Sequence, residues 1–164
     1  LSRCSNFLRL CLLLLVLWPL SVRAQLTQVK DINNLLPGSA PTQLVAIGNI
    51  VYFSARTIAT GEELWRSDGT AAGTVLVKDI RPGSDGSFPS SLTNVNGVLY
   101  LGADNGVHGT ELWRSNGTAV STVLVKDIRP GSGSSNPFFL TNINGVVYFG
   151  ADDGVHGAEL WLAP

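Results

Sequence analysis

The octapeptide ELWRSDGT at 63–70 returns as ELWRSNGT at 111–118, and Glu159-Leu160-Trp161 begins it a third time. The step is 48 residues, and it holds elsewhere in the chain. Lys30, Lys78 and Lys126 each precede Asp-Ile, and Pro41, Pro89 and Pro137 fall in line. So do Tyr52, Tyr100 and Tyr148. No insertion breaks the register. A chain of this kind is constrained to stack one structural unit on the next, because every copy has to meet its neighbours in the same way.

Within a unit the pattern is β throughout, with no helical stripe. Two apolar-rich runs, 91–95 and 98–103, flank Asn96-Gly97. Asn-Gly accepts the positive φ angles of a type I′ turn, so the pair predicts a hairpin. Asn144-Gly145 repeats it, and Gly48-Asn49 is a turn-competent counterpart. A two-residue loop sets Val95 against Val98 and Thr93 against Tyr100 on one face. It sets Asn94 against Leu99, and Leu92 against Leu101, on the other. Both faces carry apolar residues, which predicts a sheet sandwiched between neighbours. A third strand then holds Glu-Leu-Trp-Arg, and a fourth runs from Thr122 to Ile128 before Arg129-Pro130-Gly131 ends it.

The expected fold is therefore all-β: four-stranded antiparallel blades repeating every 48 residues, a β-propeller or partial propeller of about three blades. The units run over 41–80, 89–128 and 137–161 within a repeat domain at 25–164. Trp65, Trp113 and Trp161 are expected as apolar wedges between blades. Pairing Ser67 with Thr74 across the turn sets Trp65 opposite Leu76 and Glu63 opposite Lys78, and likewise Glu111 opposite Lys126. Each would be a cross-strand ion pair.

These motifs resemble a known family. ELWRSDGT, ELWRSNGT, the two copies of LVKDIRPG (76–83 and 124–131) and GVHGTELW (106–113) are similar to the ELWxxDGT repeat family. The resemblance spans nearly all of 28–161. It implies a secreted bacterial repeat protein, sometimes labelled hyalin-like, with a propeller fold and no established chemistry. The chain departs from the pattern at Asn116, at RTIATGEELW (56–65) and at Leu162.

The first residues stand outside the repeat. Arg3 and Arg9, the apolar run Leu10–Leu17, and small residues before a cut after Ala24 describe a secretory signal peptide at 1–24. The run is too short for a comfortable membrane span, so no span is expected in the mature chain. Both cysteines, Cys4 and Cys11, leave with it, and no disulfide is expected afterwards. Arg3, Arg9 and Arg23 leave too, which tilts the remainder to mild acidity and argues against nucleic-acid binding. The absence of Met predicts a non-standard start codon or a missing start, and the abrupt Trp161-Leu162-Ala163-Pro164 predicts truncation or a frameshift.

The repeat begins on a fourth strand (27–32) and ends on a third (159–162). The first can finish the last blade, which would set Lys30 opposite Glu159 and remove two edges. A strained three-blade ring, an open arc, a homo-oligomeric ring of two chains and further blades in a longer gene all stay open.

Little converges for chemistry. His108 and His156 occupy one repeat position, where the first unit has Thr60. Asp104, Asp152 and Asp153 offer hard oxygens, which makes calcium the best metal candidate, without an EF-hand register. The spacing lacks zinc geometry, and turn residues bonded to the local backbone are the favoured reading over a metal site. Asp68 sits in a turn similar to an Asp-box, with a structural role expected. No catalytic residues and no bound cofactor are read from the chain. Asn116-Gly117-Thr118 is a glycosylation sequon, relevant only in a eukaryotic host. The reading is an exported, secreted or cell-surface module for binding, adhesion or display of an unknown protein or glycan ligand. Its ligand choice should lie in the variable stretches 56–60, 83–88 and 131–136. The alternatives are a fragment of a larger propeller enzyme acting on glycans and a structural coat component.

Overall fold

A computed structural model describes residues 26–35 and 37–164. The segment read as a signal peptide lies outside the described residues. All regular structure described is β, in three antiparallel sheets. The first sheet runs β1 (Thr42–Ile47), β2 (Ile50–Thr57), β3 (Gly61–Ser67) and β4 (Val75–Lys78), in that order. The second repeats it with β5 (Ser90–Val95), β6 (Val98–Asp104), β7 (Thr110–Ser115) and β8 (Val123–Lys126). The third has three strands, β9 (Phe138–Ile143), β10 (Val146–Asp152) and β11 (Ala158–Ala163).

The hairpins form where the turn dipeptides stand. Asn96 and Gly97 take φ of 51° and 89°, and Asn144 and Gly145 take 52° and 87°. Two successive positive φ angles are what a type I′ turn requires. Gly48 supplies the one positive φ of the two-residue turn in the first hairpin, at 59°. In the second sheet Thr93 pairs with Tyr100, Asn94 with Leu99 and Val95 with Val98. The expected Leu92–Leu101 pairing gives way to a bulge, because Ser91 turns left-handed (φ 54°) and Ser90 pairs with Gly102. Gln43 and Phe139, 48 residues to either side, do the same.

The sheets stack face to face, with β1 against β5 and β5 against β9. Tyr52, Leu64, Val77 and Ile80 of the first unit meet Leu99, Leu101, Ala103 and Trp113 of the second. Val95, Tyr100, Leu112 and Ile128 of the second meet Val147, Phe149, Ala151 and Trp161 of the third. Trp65 packs with Phe53 and Ala55 and, from outside the sheet, Ile32. Each indole thus lies towards the fourth strand, or its equivalent, of the preceding unit. No pairing joins the first and third sheets, and the three do not close into a ring among the described residues. The expectation that 27–32 finishes the third sheet is not met. That segment is not in a sheet and lies on the first unit, where the Lys30 ammonium donates to the Thr74 carbonyl at 2.8 Å.

Candidate functional site

The repeated polar residues hold one unit to the next. Glu63 is fully buried on β3. Its carboxylate accepts the amides of Ile80 (3.1 Å) and Arg81 (3.1 Å) and the Ser87 hydroxyl (2.6 Å). Those donors sit on the linker that leaves β4 for the second sheet. Glu111 repeats the arrangement with the Ile128 amide (2.9 Å), the Ser135 amide (3.0 Å) and the Ser135 hydroxyl (2.6 Å). Burial pushes the Glu63 carboxyl above the ordinary carboxylate range, against the opposing pull of these donors. The linker also lies tight on β3. Gly61 of β3 and Gly86 of the linker lie so close that a Cβ on either would strike the backbone of the other segment.

The Glu63–Lys78 and Glu111–Lys126 ion pairs do not form. Trp65 stands opposite Leu76 as expected, but a bulge on β4 then sets Lys78 opposite Leu64. Lys126 falls opposite Leu112 in the same way. Lys78 instead reaches the next unit, donating to the Thr122 carbonyl at 2.8 Å and lying 5.8 Å from the Trp113 ring centre. Lys126 lies 5.2 Å from the Trp161 ring centre. Both are cation–π contacts between neighbouring units. Lys30 and Glu159 are not paired either: Lys30 is on the first unit, and Glu159 is exposed.

The calcium candidates are engaged by protein groups. Asp104 accepts the Gly106 amide (2.7 Å) and pairs with Arg81 (2.6 Å). Asp152 accepts the Gly154 amide (2.7 Å) and pairs with Arg129 (3.5 Å). Asp153 accepts the Val155 and His156 amides at 2.8 Å and contacts the His156 ring nitrogen at 2.7 Å. These hydrogen bonds hold Asp153 well below the ordinary carboxylate range and raise His156 above its usual value. No group of three or more His, Cys, Asp or Glu able to hold a metal is present among the described residues.

The first unit breaks the Arg–Asp bridge. Stepping back 48 residues, Arg81 becomes Asn33 and Asp104 becomes Arg56. Asn33 turns to the Pro37 carbonyl (3.0 Å). A cleft of about 480 Å³ opens there, lined by Asn33, Pro37, Arg56, Thr57, Ile58, Ser84 and Asp85. Two of the variable stretches, 56–60 and 83–88, are therefore brought together. The third, 131–136, lies at the next junction, where Ser134 and Asn136 bond the start of β7. The cleft offers a guanidinium, an exposed carboxylate and several hydroxyl and amide groups beside the exposed Ile58. Such a mixture can hydrogen-bond a polar ligand and stack an apolar edge. The sequence alone flagged the stretches that hold Arg56, Ser87 and Ser135 without singling out these residues, and it missed Arg81, Arg129 and Asn33 as contacts. The signal was present, since Ser39, Ser87 and Ser135 share the step and Arg56 is a charge reversal at a repeated Asp position.

Compared with protein-family models, curated proteins and solved structures, the chain matches none.

Proposed function

We propose that the chain is an exported, non-enzymatic repeat module of the ELWxxDGT type, its sheets acting as the blades of a β-propeller. It binds a polar ligand, a glycan or a protein loop, in the cleft beside Arg56. One observation carries the reading. Glu63, Glu111, Lys78, Arg81 and Arg129, which sit at recurring positions, are engaged at the junctions between units, while the cleft is lined where the first unit departs from the repeat. A position free of packing duty is where ligand choice can vary. The radial order of strands and the row formed by β1, β5 and β9 support the propeller arrangement.

The test is a glycan array and a panel of extracellular-matrix proteins probed with the wild-type chain and with Arg56→Glu. Arg56 is exposed, so the fold should survive the change. Binding to whatever the wild type retains should weaken about tenfold or more. Equal binding by Arg56→Glu, with an unchanged far-ultraviolet spectrum, overturns the cleft as the site.

A further inference from the structure

Among the described residues, the third sheet has an apolar face and a strand edge without a neighbour. Leu160 is 76% exposed and Ile143 50%, where their repeat counterparts Leu112 and Val95 are 1% and 3% exposed. With Phe138, Phe139, Tyr148 and Phe149 they border a groove of about 490 Å³. Glu159 is exposed there too, although Glu63 and Glu111 at the same position are buried and hold a linker.

The opposite end of the molecule carries the missing piece. By repeat position 27–39 are a fourth strand and linker, and Lys30, Ile32 and Ser39 lie on the first sheet as residues of a linker should. Lys30 donates to the Thr74 carbonyl as Lys78 does to Thr122, both at 2.8 Å. The Arg56 amide donates to the Ser39 carbonyl (2.8 Å) as Asp104 does to Ser87 (2.9 Å) and Asp152 to Ser135 (3.0 Å). Ile32, Asn33 and Ser39 stand where Ile80, Arg81 and Ser87 stand around Glu63, and position 15, where their glutamate would fall, is Leu15. Leu44 and Val51 border an apolar groove beside this segment, at the positions of Leu140 and Val147, which cover the second sheet. One end holds the carboxylate and the open face; the other holds the donors and the covering surface.

We infer that a second copy of this chain docks head to tail on the third sheet, its segment 27–32 adding to the β11 edge and its Ile32 and Asn33 amides and Ser39 hydroxyl binding Glu159. The register follows β3 and β4, where Leu64 meets Lys78 and Trp65 meets Leu76. Leu160 therefore meets the second copy's Lys30, and Trp161 meets the second copy's Gln28. Strand addition to a sheet edge supplies the main-chain bonds, and the apolar faces supply burial. The inference does not depend on what the Arg56 cleft binds.

Sedimentation of the purified chain tests it. The wild type is expected at twice the single-chain mass or a higher multiple. Glu159→Lys is expected to raise the dissociation constant about thirtyfold or more, since it places a cation against hydrogen-bond donors. Leu160→Asp, on the same open face, should do likewise. Both side chains are exposed within one copy, so the far-ultraviolet spectrum should not change. A wild-type chain that sediments at single-chain mass at every concentration overturns the inference. So does a multimer that persists in both folded variants. Array binding reads the cleft and sedimentation reads the sheet face, so the two proposals fail separately.

Discussion

The second and third sheets carry nearly the same sequence and have different fates. TELWRS on β7 is mostly buried, whereas AELWLA on β11 is mostly exposed. Leu112 and Leu160 differ in exposure by almost the full range, though each follows Glu and precedes Trp. The difference lies in what covers them. Among the described residues, the second sheet has a neighbour on each face, and the third on one. In a stack of similar units, burial belongs to the interface between copies, so the energy of a motif depends on its place in the row.

The largest expected contrast is at the indoles. Trp113 is buried between the first and second sheets, and Trp161 is only partly buried. Trp113→Ala should cost about 3–5 kcal/mol. Trp161→Ala should cost clearly less, because part of its ring already faces water. Urea denaturation of both variants checks this, and equal losses would mean that the β11 edge beside Trp161 is covered in solution.

A middle-sized contrast lies at the carboxylates. Glu63→Gln should lose about 1–3 kcal/mol near pH 7, because the amide NH2 that replaces one carboxylate oxygen faces hydrogen-bond donors and is left without an acceptor. It should also change the pH dependence. The Glu63 carboxyl is raised in the folded state, so the folded protein holds a proton that the unfolded chain has released. Its contribution is fully present below the unfolded value and is lost as pH rises through the folded one. Between those two values the Glu63 term makes stability fall with rising pH, and Glu63→Gln should flatten that slope. Unfolding midpoints measured from pH 4 upward, with Glu159→Gln as the exposed counterpart, would show whether burial is the cause.

The smallest contrast separates the loops that end the second strands of the sheets. His156 titrates above its ordinary value because the Asp153 carboxylate accepts its hydrogen bond. The second unit has Asn105 at that position, within 3.0 Å of the His108 ring nitrogen. Asp153→Asn should bring the His156 titration down, as followed by ring proton shifts in NMR. The charged pair is held below the unfolded histidine value and lost as pH rises through the folded one. Both side chains are solvent-exposed, so global stability should hardly move.

Much of this was legible and some was not. The Asn-Gly hairpins, the strand order and the packed indoles could be read because each rests on a local signal: a turn dipeptide, an alternation, a large apolar residue. The Glu63–Lys78 pair could not be judged, because one extra residue near Val77 shifts the register and sends Lys78 to the next unit. Nothing in the composition of β4 marks that bulge. The left-handed Gln43, Ser91 and Phe139 share no residue type, so only their common position betrays them. The Arg56 cleft needed the structure as well, since its residues come from three separate stretches.

By itself the sequence determined that this chain is a row of small antiparallel β-sheets, because period, turn residues and alternation act within a few residues of one another. Which carboxylates are buried, which face stays open and where a ligand could enter were decided only when the sheets stacked. Those outcomes depend on contacts 17 to 44 residues apart, between groups that no local pattern pairs.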